Sequence, residues 1–284
     1  MDDDRSIWLI NNEASGSNDA EALTACEEAC ENNGLRIAHR TVFPDTDLPS
    51  PAMLDAAGTS TVAIYAGDGT INAALLALAG WGGQVLILPG GTMNLLYHRL
   101  FGDLTMEQAV EAVADGSAVR HRPVVIESGC GTAFAGVLAG PGTAWSDVRE
   151  AMRENAAMET LDESRRAMAE TMYGERLRCD EPQIGKPEGY PLILLTPVNE
   201  TIVVDAYHAE GIGEFVEQLF AVMRREFREG PHDRIGQGDR FVMANVGGGG
   251  FGVLLDGEAC EADGDTEFRL ARCGVDLLAT RTDG

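Results

Sequence analysis

Apolar residues in the first 120 positions fall into short runs, separated by stretches in which they recur every three or four residues. That alternation predicts strands and helices in turn. Residues 7–10 (Ile-Trp-Leu-Ile) read as a buried strand, and residues 11–16 as a polar turn. A helix is expected over 19–33, with Leu23, Cys26, Ala29 and Cys30 on one face. Gly34 stands just beyond it, where a left-handed residue commonly closes a helix. A strand over 35–42 and a short helix over 52–57 follow. Two more apolar runs, 61–65 and 84–88, each end in a glycine-rich turn that opens a helical pattern. Thr105-Met-Glu-Gln108 is a capping box starting a helix that stops at Gly116. This order implies a mostly parallel sheet covered by helices on both faces, a three-layer α/β arrangement.

Beyond residue 119 the pattern changes. Segments 119–126, 133–139, 176–180, 191–197, 201–207, 239–246, 250–255, 266–271 and 274–279 read as strands, often with antiparallel spacing. Two helical stretches interrupt them, at 146–173 and at 213–227, the second with a packing stripe of Phe215, Leu219, Val222 and Met223. The expected organisation is an α/β domain over 1–120 and a β-rich, sandwich-like domain with helical insertions over 121–284. The last residues are available to pack back on the first domain.

Composition narrows the class of function. A chain of 284 residues with 44% hydrophobic content can bury one large or two medium cores. A net charge of −25 argues against nucleic acid as a partner and against electrostatic docking to anionic lipid. Of 21 basic residues only Lys186 is a lysine, a bias expected of a high-GC genome or of salt adaptation. No apolar run reaches membrane-spanning length, and the acidic start Met1-Asp-Asp-Asp4 is unlike a secretory leader, so a cytoplasmic protein is expected. The six cysteines contain no Cys-x-x-Cys pair and are expected to be reduced and mostly buried. Ser15 lacks the Gly-x-Ser-x-Gly elbow of hydrolases, and His98 and His121 read as surface or capping residues.

The chemistry concentrates in the two glycine turns. The first is Ala66-Gly-Asp-Gly-Thr70-Ile-Asn72; the second is Pro89-Gly-Gly-Thr92-Met-Asn94. Glycine lets the backbone approach a ligand closely, and a helix N-terminus favours an anion, so such turns suit phosphate. Two further elements accompany them: Asn12, Ser15 and Gly16 in the first turn of the chain, and Asp256-Gly257-Glu258 late in the β-rich region. Alone, Asp256-Gly257 reads as an ordinary turn between two strands. In this order and spacing the four elements resemble the diacylglycerol kinase-like lipid kinases, which include bacterial lipid kinases and sphingosine and ceramide kinases, over nearly the whole chain.

The resemblance implies a nucleotide-binding domain over 1–120, a β-rich lipid-substrate domain over 121–284, and an active site in the cleft between them. ATP would be held by Asn12, Ser15, Gly16, Gly67, Asp68, Gly69, Thr70, Asn72, Gly91, Thr92 and Asn94, with Mg2+ on its phosphates. Asp256 would serve as the base that receives the lipid hydroxyl proton, with Glu258 as a second carboxylate. Asp68 would organise metal and phosphate, the metal indirectly, or serve as the base itself. The substrate would be diacylglycerol, a sphingoid base or a related lipid, reached by transient apolar contact with the inner membrane face through exposed Leu95, Leu96 and Tyr97. The sequence departs from the family pattern at Glu13, Ala66 and Ala73, and lacks a lysine in the first turn. Those departures keep open a non-catalytic nucleotide or lipid sensor on the same fold. A NAD kinase is disfavoured, because residues 89–94 follow the lipid-kinase pattern.

Overall fold

The computed structural model describes residues 5–12, 20–140, 176–207 and 232–282. The helices expected over 146–173 and 213–227, and the turn residues Ser15 and Gly16, lie outside them. The first half runs β1 (Ser6–Asn11), α1 (Ala20–Asn32), β2 (Arg36–Val42), α2 (Pro51–Ala56), β3 (Thr61–Ala66), α3 (Asp68–Ala77), β4 (Gln84–Pro89), α4 (Leu95–Phe101), α5 (Met106–Ala114) and β5 (Val119–His121). The second half is strands among the described residues. They are β6 (Val124–Ser128), β7 (Gly131–Ala133), β8 (Val137–Gly140), β9 (Leu177–Glu181), β10 (Gln183–Ile184), β11 (Leu192–Val198), β12 (Thr201–Tyr207), β13 (His232–Gly238), β14 (Arg240–Asn245), β15 (Phe251–Leu255), β16 (Glu258–Ala262), β17 (Thr266–Arg272) and β18 (Asp276–Ala279).

Two compact units result. Residues up to Pro123, together with those from Arg272 onward, make the first; Val124–Ala271 makes the second. The division thus falls after Pro123 rather than at 120, and the C-terminal residues join the first unit. They do so through β18, which lies parallel to β4 and antiparallel to β5. Arg122 fixes this return by donating to the Asp276 carboxylate at 2.8 Å.

The first unit is a six-stranded sheet in the order β2-β1-β3-β4-β18-β5, parallel except at the β18–β5 pair. Every residue of β3 is buried, as expected of a central parallel strand covered on both faces. Helix α1 buries Leu23, Cys26, Ala29 and Cys30, the face predicted from its spacing, and packs against α5. Gly34 takes φ +77° past its end. The capping box forms as read: Thr105 accepts from the Gln108 N–H, and the Gln108 side chain accepts from the Thr105 N–H.

The second unit is a sandwich of two six-stranded sheets, β10-β9-β14-β17-β6-β7 and β13-β12-β11-β8-β15-β16. Inward residues of both meet in one core that includes Ile126, Phe241, Met243 and Phe268 from one sheet and Ile193, Leu195, Val204, Phe251 and Val253 from the other. The chain changes sheets between β7 and β8, over Phe134, Ala135 and Gly136. Cys26, Cys30, Cys179 and Cys273 are buried thiols, and burial pushes the Cys179 thiol up to about 12. Cys130 and Cys260 depart from the expectation of reduced cysteines: they form a disulfide. Its halves lie 130 residues apart, one in the β6–β7 turn and one on edge strand β16, and only the packed sandwich brings them together.

Candidate active site

The sheet of the first unit reverses direction at β1, with β2 on one side and β3 on the other. In open α/β sheets, ligands settle outside the carboxyl ends of the strands at such a switch point. Both polar residues that end β1 lie there. Asn12 Nδ2 donates to Thr70 Oγ1 at 2.8 Å, tying the end of β1 to the first turn of α3. Asn11, paired in register with Tyr65, is fully buried, and neither its Oδ1 nor its Nδ2 has a hydrogen-bond partner among the described residues. The sequence pattern carried no signal for Asn11 beyond an Asn-Asn doublet at a strand end.

The two glycine turns, after β3 and β4, interlock through their backbones. A Cβ on Gly91 would stand 2.6 Å from Gly67 Cα, and one on Gly90 would stand 2.6 Å from Ala66 N. Glycine is therefore required here for contact between the turns as well as for any ligand. Ala66 is the last residue of β3 and is fully buried, so its methyl belongs to the sheet and not to the exposed part of the turn. Gly67 caps α3 in extended conformation, at a helix start whose dipole favours an anion. Gly69 and Asn72 are half-buried on that first stretch of α3, while Thr92 is exposed at the tip of the second turn.

Two of the predicted site residues have structural work in the turns. Asn94, at φ +52°, accepts the Gly91 N–H on Oδ1 at 2.8 Å and donates from Nδ2 to the Gly91 carbonyl at 2.9 Å. Its amide thus holds the second turn closed. Asp68, the first residue of α3, accepts the Leu95 N–H on Oδ1 at 3.0 Å, so a carboxylate at the start of one helix also serves the start of α4. Leu95, Leu96 and Tyr97 are buried on α4, which overturns their expected exposure as a membrane contact. Their spacing fills the core face of a seven-residue helix. Tyr97 donates its hydroxyl to the Leu104 carbonyl at 2.7 Å, and burial, aided by the Glu107 charge, pushes that hydroxyl up to about 12. His98 Nδ1 lies 3.0 Å from the Gly102 carbonyl at the end of the same helix, a capping position.

In the second unit, Asp256 and Gly257 adopt φ +51° and +90° and form the turn between β15 and β16. Asp256 is buried, and its carboxylate accepts three backbone N–H groups: Phe134 at 2.6 Å, Ala135 at 2.7 Å and Gly136 at 2.9 Å. These belong to the three residues that carry the chain from one sheet to the other. Three hydrogen bonds to backbone donors fix its position. Glu258, two residues on, is exposed at the start of β16. The partners 134–136 were not legible as site residues, because they lie 120 positions or more from Asp256.

Among the described residues, no three His, Cys, Asp or Glu side chains converge to hold a metal ion. Magnesium that rides on nucleotide phosphates needs only one or two protein carboxylates. Asp68, at the interlocked turns, fits that lesser requirement.

Residues 6–126 match the family model of the diacylglycerol kinase catalytic domain. The match begins at β1, spans both glycine turns and ends in β6. The resemblance read from the motifs is thereby borne out over residues 6–126; the match does not reach Asp256-Gly257-Glu258. Among curated proteins, none matches the sequence. Among solved structures, the chain is similar to a diacylglycerol kinase from Bacillus anthracis str. Sterne, with a TM-score of 0.60, 12% identity and 97% of each chain covered. Another crystal structure, of a protein from the same strain provisionally assigned as a diacylglycerol kinase, gives 0.61 at 13% identity, covering 97% of this chain and 95% of that one. At such identities the likeness is one of fold: an N-terminal, largely parallel α/β sheet followed by antiparallel sheets.

Proposed function

We propose that the chain, whose N-terminal segment matches diacylglycerol kinase catalytic domains, is an ATP-dependent lipid kinase. It transfers the γ-phosphate to a hydroxyl of diacylglycerol, a sphingoid base or a related lipid. What carries the reading is the interlocked pair of glycine turns at the carboxyl edge of β3 and β4, inside the matched segment. In this reading the start of α3 and the exposed Thr92 bind nucleotide phosphates, and Asn12, Thr70 and Asn94 hold the turns in shape around them. Ser15, Gly16 and Asn72 belong to the same nucleotide set. Asp68 orients the phosphate end, and magnesium carried by ATP supplies positive charge against the transferring group.

Asp256 accepts the lipid hydroxyl, assisted by Glu258. A carboxylate that receives three N–H groups is held in one place, which suits phosphoryl transfer. In a loose transition state, bond formation to the nucleophile is slight and its proton leaves late, so positioning matters more than basicity. The fixed carboxylate provides that positioning. Lipid access occurs by transient contact with the membrane surface, driven by apolar groups and not by charge, at residues other than Leu95, Leu96 and Tyr97. The net charge of −25 supports this mode. No helix among the described residues is long and apolar enough to cross a membrane.

The test is transfer from γ-labelled ATP, with magnesium, into a mixed lipid extract, comparing wild type with Asp256→Asn. Label in a lipid with wild type alone is expected, and mass spectrometry of the product names the substrate. ATP binding without transfer would favour the sensor reading instead. Asparagine turns an NH2 group toward backbone donors, so the variant should also lose roughly 1–3 kcal/mol of stability. Its unfolding midpoint is measured alongside, and transfer is assayed where the variant is fully folded.

A further inference from the structure

The disulfide and the Asp256 turn join the same two hairpins. One hairpin is β6–β7, with Cys130 in its turn; the other is β15–β16, with Asp256 in its turn and Cys260 on its second strand. β7 and β16 are edge strands of opposite sheets, so neither has a second strand beside it among the described residues. Two links span them: the Cys130–Cys260 bond, and the Asp256 carboxylate on residues 134–136 directly after β7. The Asp256 N–H adds a third contact, donating to the Gly136 carbonyl at 3.1 Å. The other four cysteines are buried thiols, whereas Cys130 and Cys260 are only partly buried at the margin of the sandwich core. The oxidised pair is the accessible pair.

We propose that Cys130–Cys260 is a redox-sensitive latch, which a dithiol reductant opens to loosen the corner that fixes Asp256. In the exchange, one reductant thiolate attacks a disulfide sulfur and forms a mixed disulfide, releasing the other cysteine as a thiolate. The second reductant thiolate then displaces the first cysteine. Two electrons pass to the protein, the reductant becomes a cyclic disulfide, and its two protons end on Cys130 and Cys260. The open form keeps the hydrogen bonds of Asp256 but loses the covalent restraint two residues from Glu258. Edge strands and their turns then open more often, as expected of elements with few neighbours.

The consequence for phosphate transfer rests on the kinase reading above; the opening of the corner does not. The experiment is hydrogen exchange with peptide-level mass spectrometry on the oxidised protein, with and without dithiothreitol, with thiol labelling to count opened cysteines. Reduction should expose two more thiols and speed exchange of the 134–136 amides severalfold, while β11 and β12 in the sandwich centre stay unchanged. The double variant Cys130→Ser, Cys260→Ser should exchange like the reduced protein and ignore the reductant. Unchanged exchange at 134–136 after full reduction would overturn the proposal, as would an air-oxidised protein that contains no Cys130–Cys260 bond. Lipid phosphorylation assayed on the same samples should fall severalfold on reduction and return on reoxidation. Faster exchange with no transfer in either state would leave the latch standing and remove the kinase reading. Transfer that is identical in both states would confine the latch to stability and overturn its role as a switch.

Discussion

The Asp68 carboxylate accepts the Leu95 backbone N–H at 3.0 Å, so one acidic side chain links the starts of α3 and α4. A group with both a structural and a chemical role can be divided by substitution. Asp68→Asn keeps an acceptor oxygen for Leu95 and removes the charge, costing about 0.3–1 kcal/mol of helix-dipole interaction. Asp68→Ala removes the acceptor as well, and should cost about 0.5–2 kcal/mol, the range of a lost cap. Urea unfolding is expected to rank wild type, Asn and Ala in that order. Phosphate transfer should be lost almost equally in both variants. An asparagine variant with full transfer would assign Asp68 to structure alone.

Gly91 tests the interlock of the turns. Its missing side chain leaves room for Gly67 Cα, which a methyl would meet at 2.6 Å, and the obstacle is backbone that cannot swing aside. Gly91→Ala should cost about 1–3 kcal/mol, the usual range for overpacking. Gly82 provides the control, since a Cβ there meets nothing within 4 Å. Gly82→Ala should be neutral or gain up to about 1 kcal/mol by restricting the unfolded chain. Chemical denaturation of the two variants side by side checks both. Equal stability would mean that the turns separate easily.

Local signals explain what could be read in advance. The helix face of Leu23, Cys26, Ala29 and Cys30, the Thr105–Gln108 capping box and the buried runs of β3 and β4 all depend on residues within a turn or a strand of one another. β10, β13 and β16 gave no strand pattern, and all three are edge strands. An edge needs little apolar content and is often polar, and Glu258-Ala-Cys-Glu-Ala262 is held by its pairing with β15. The Cys130–Cys260 bond and the 134–136 donors of Asp256 arise from packing across more than a hundred residues, where sequence periodicity carries no information. Leu95, Leu96 and Tyr97 misled for the opposite reason: a consecutive apolar triplet after a glycine turn looks exposed until the short helix is seen to bury it.

Asn11 offers a prediction of opposite sign. Its amide is fully buried at the end of β1, with neither polar atom bonded among the described residues. Leaving such groups unpaired costs about 1–3 kcal/mol, whereas an apolar side chain of similar size at the same place does not carry that cost. Asn11→Leu should therefore raise stability, by roughly 1–3 kcal/mol, as read by the shift in urea midpoint at constant slope. A fall in stability would show that the amide is satisfied in solution, for instance by an internal water.

Salt dependence separates two electrostatic effects that act in opposite directions. Exposed ion pairs such as Arg240 with Glu181 and Glu267 are weakened by salt, but each is worth only about 0–1 kcal/mol. The excess of acidic residues, 46 against 21 basic, repels itself throughout the folded surface, and that repulsion is relieved as the chain expands. Raising KCl from about 0.1 M to about 1 M shortens the screening length from about 10 Å to about 3 Å. Repulsion summed over many distant pairs then falls more than attraction within a few close ones. The thermal midpoint should climb with KCl, by about 2–4 °C for each kcal/mol recovered in a chain of this size class. Glutamate should substitute for chloride, because the effect depends on the cation atmosphere around an acidic surface. A midpoint that is flat or falls between those concentrations would mean that the charge is arranged in compensating networks, and that the lysine-poor composition does not reflect adaptation to salt.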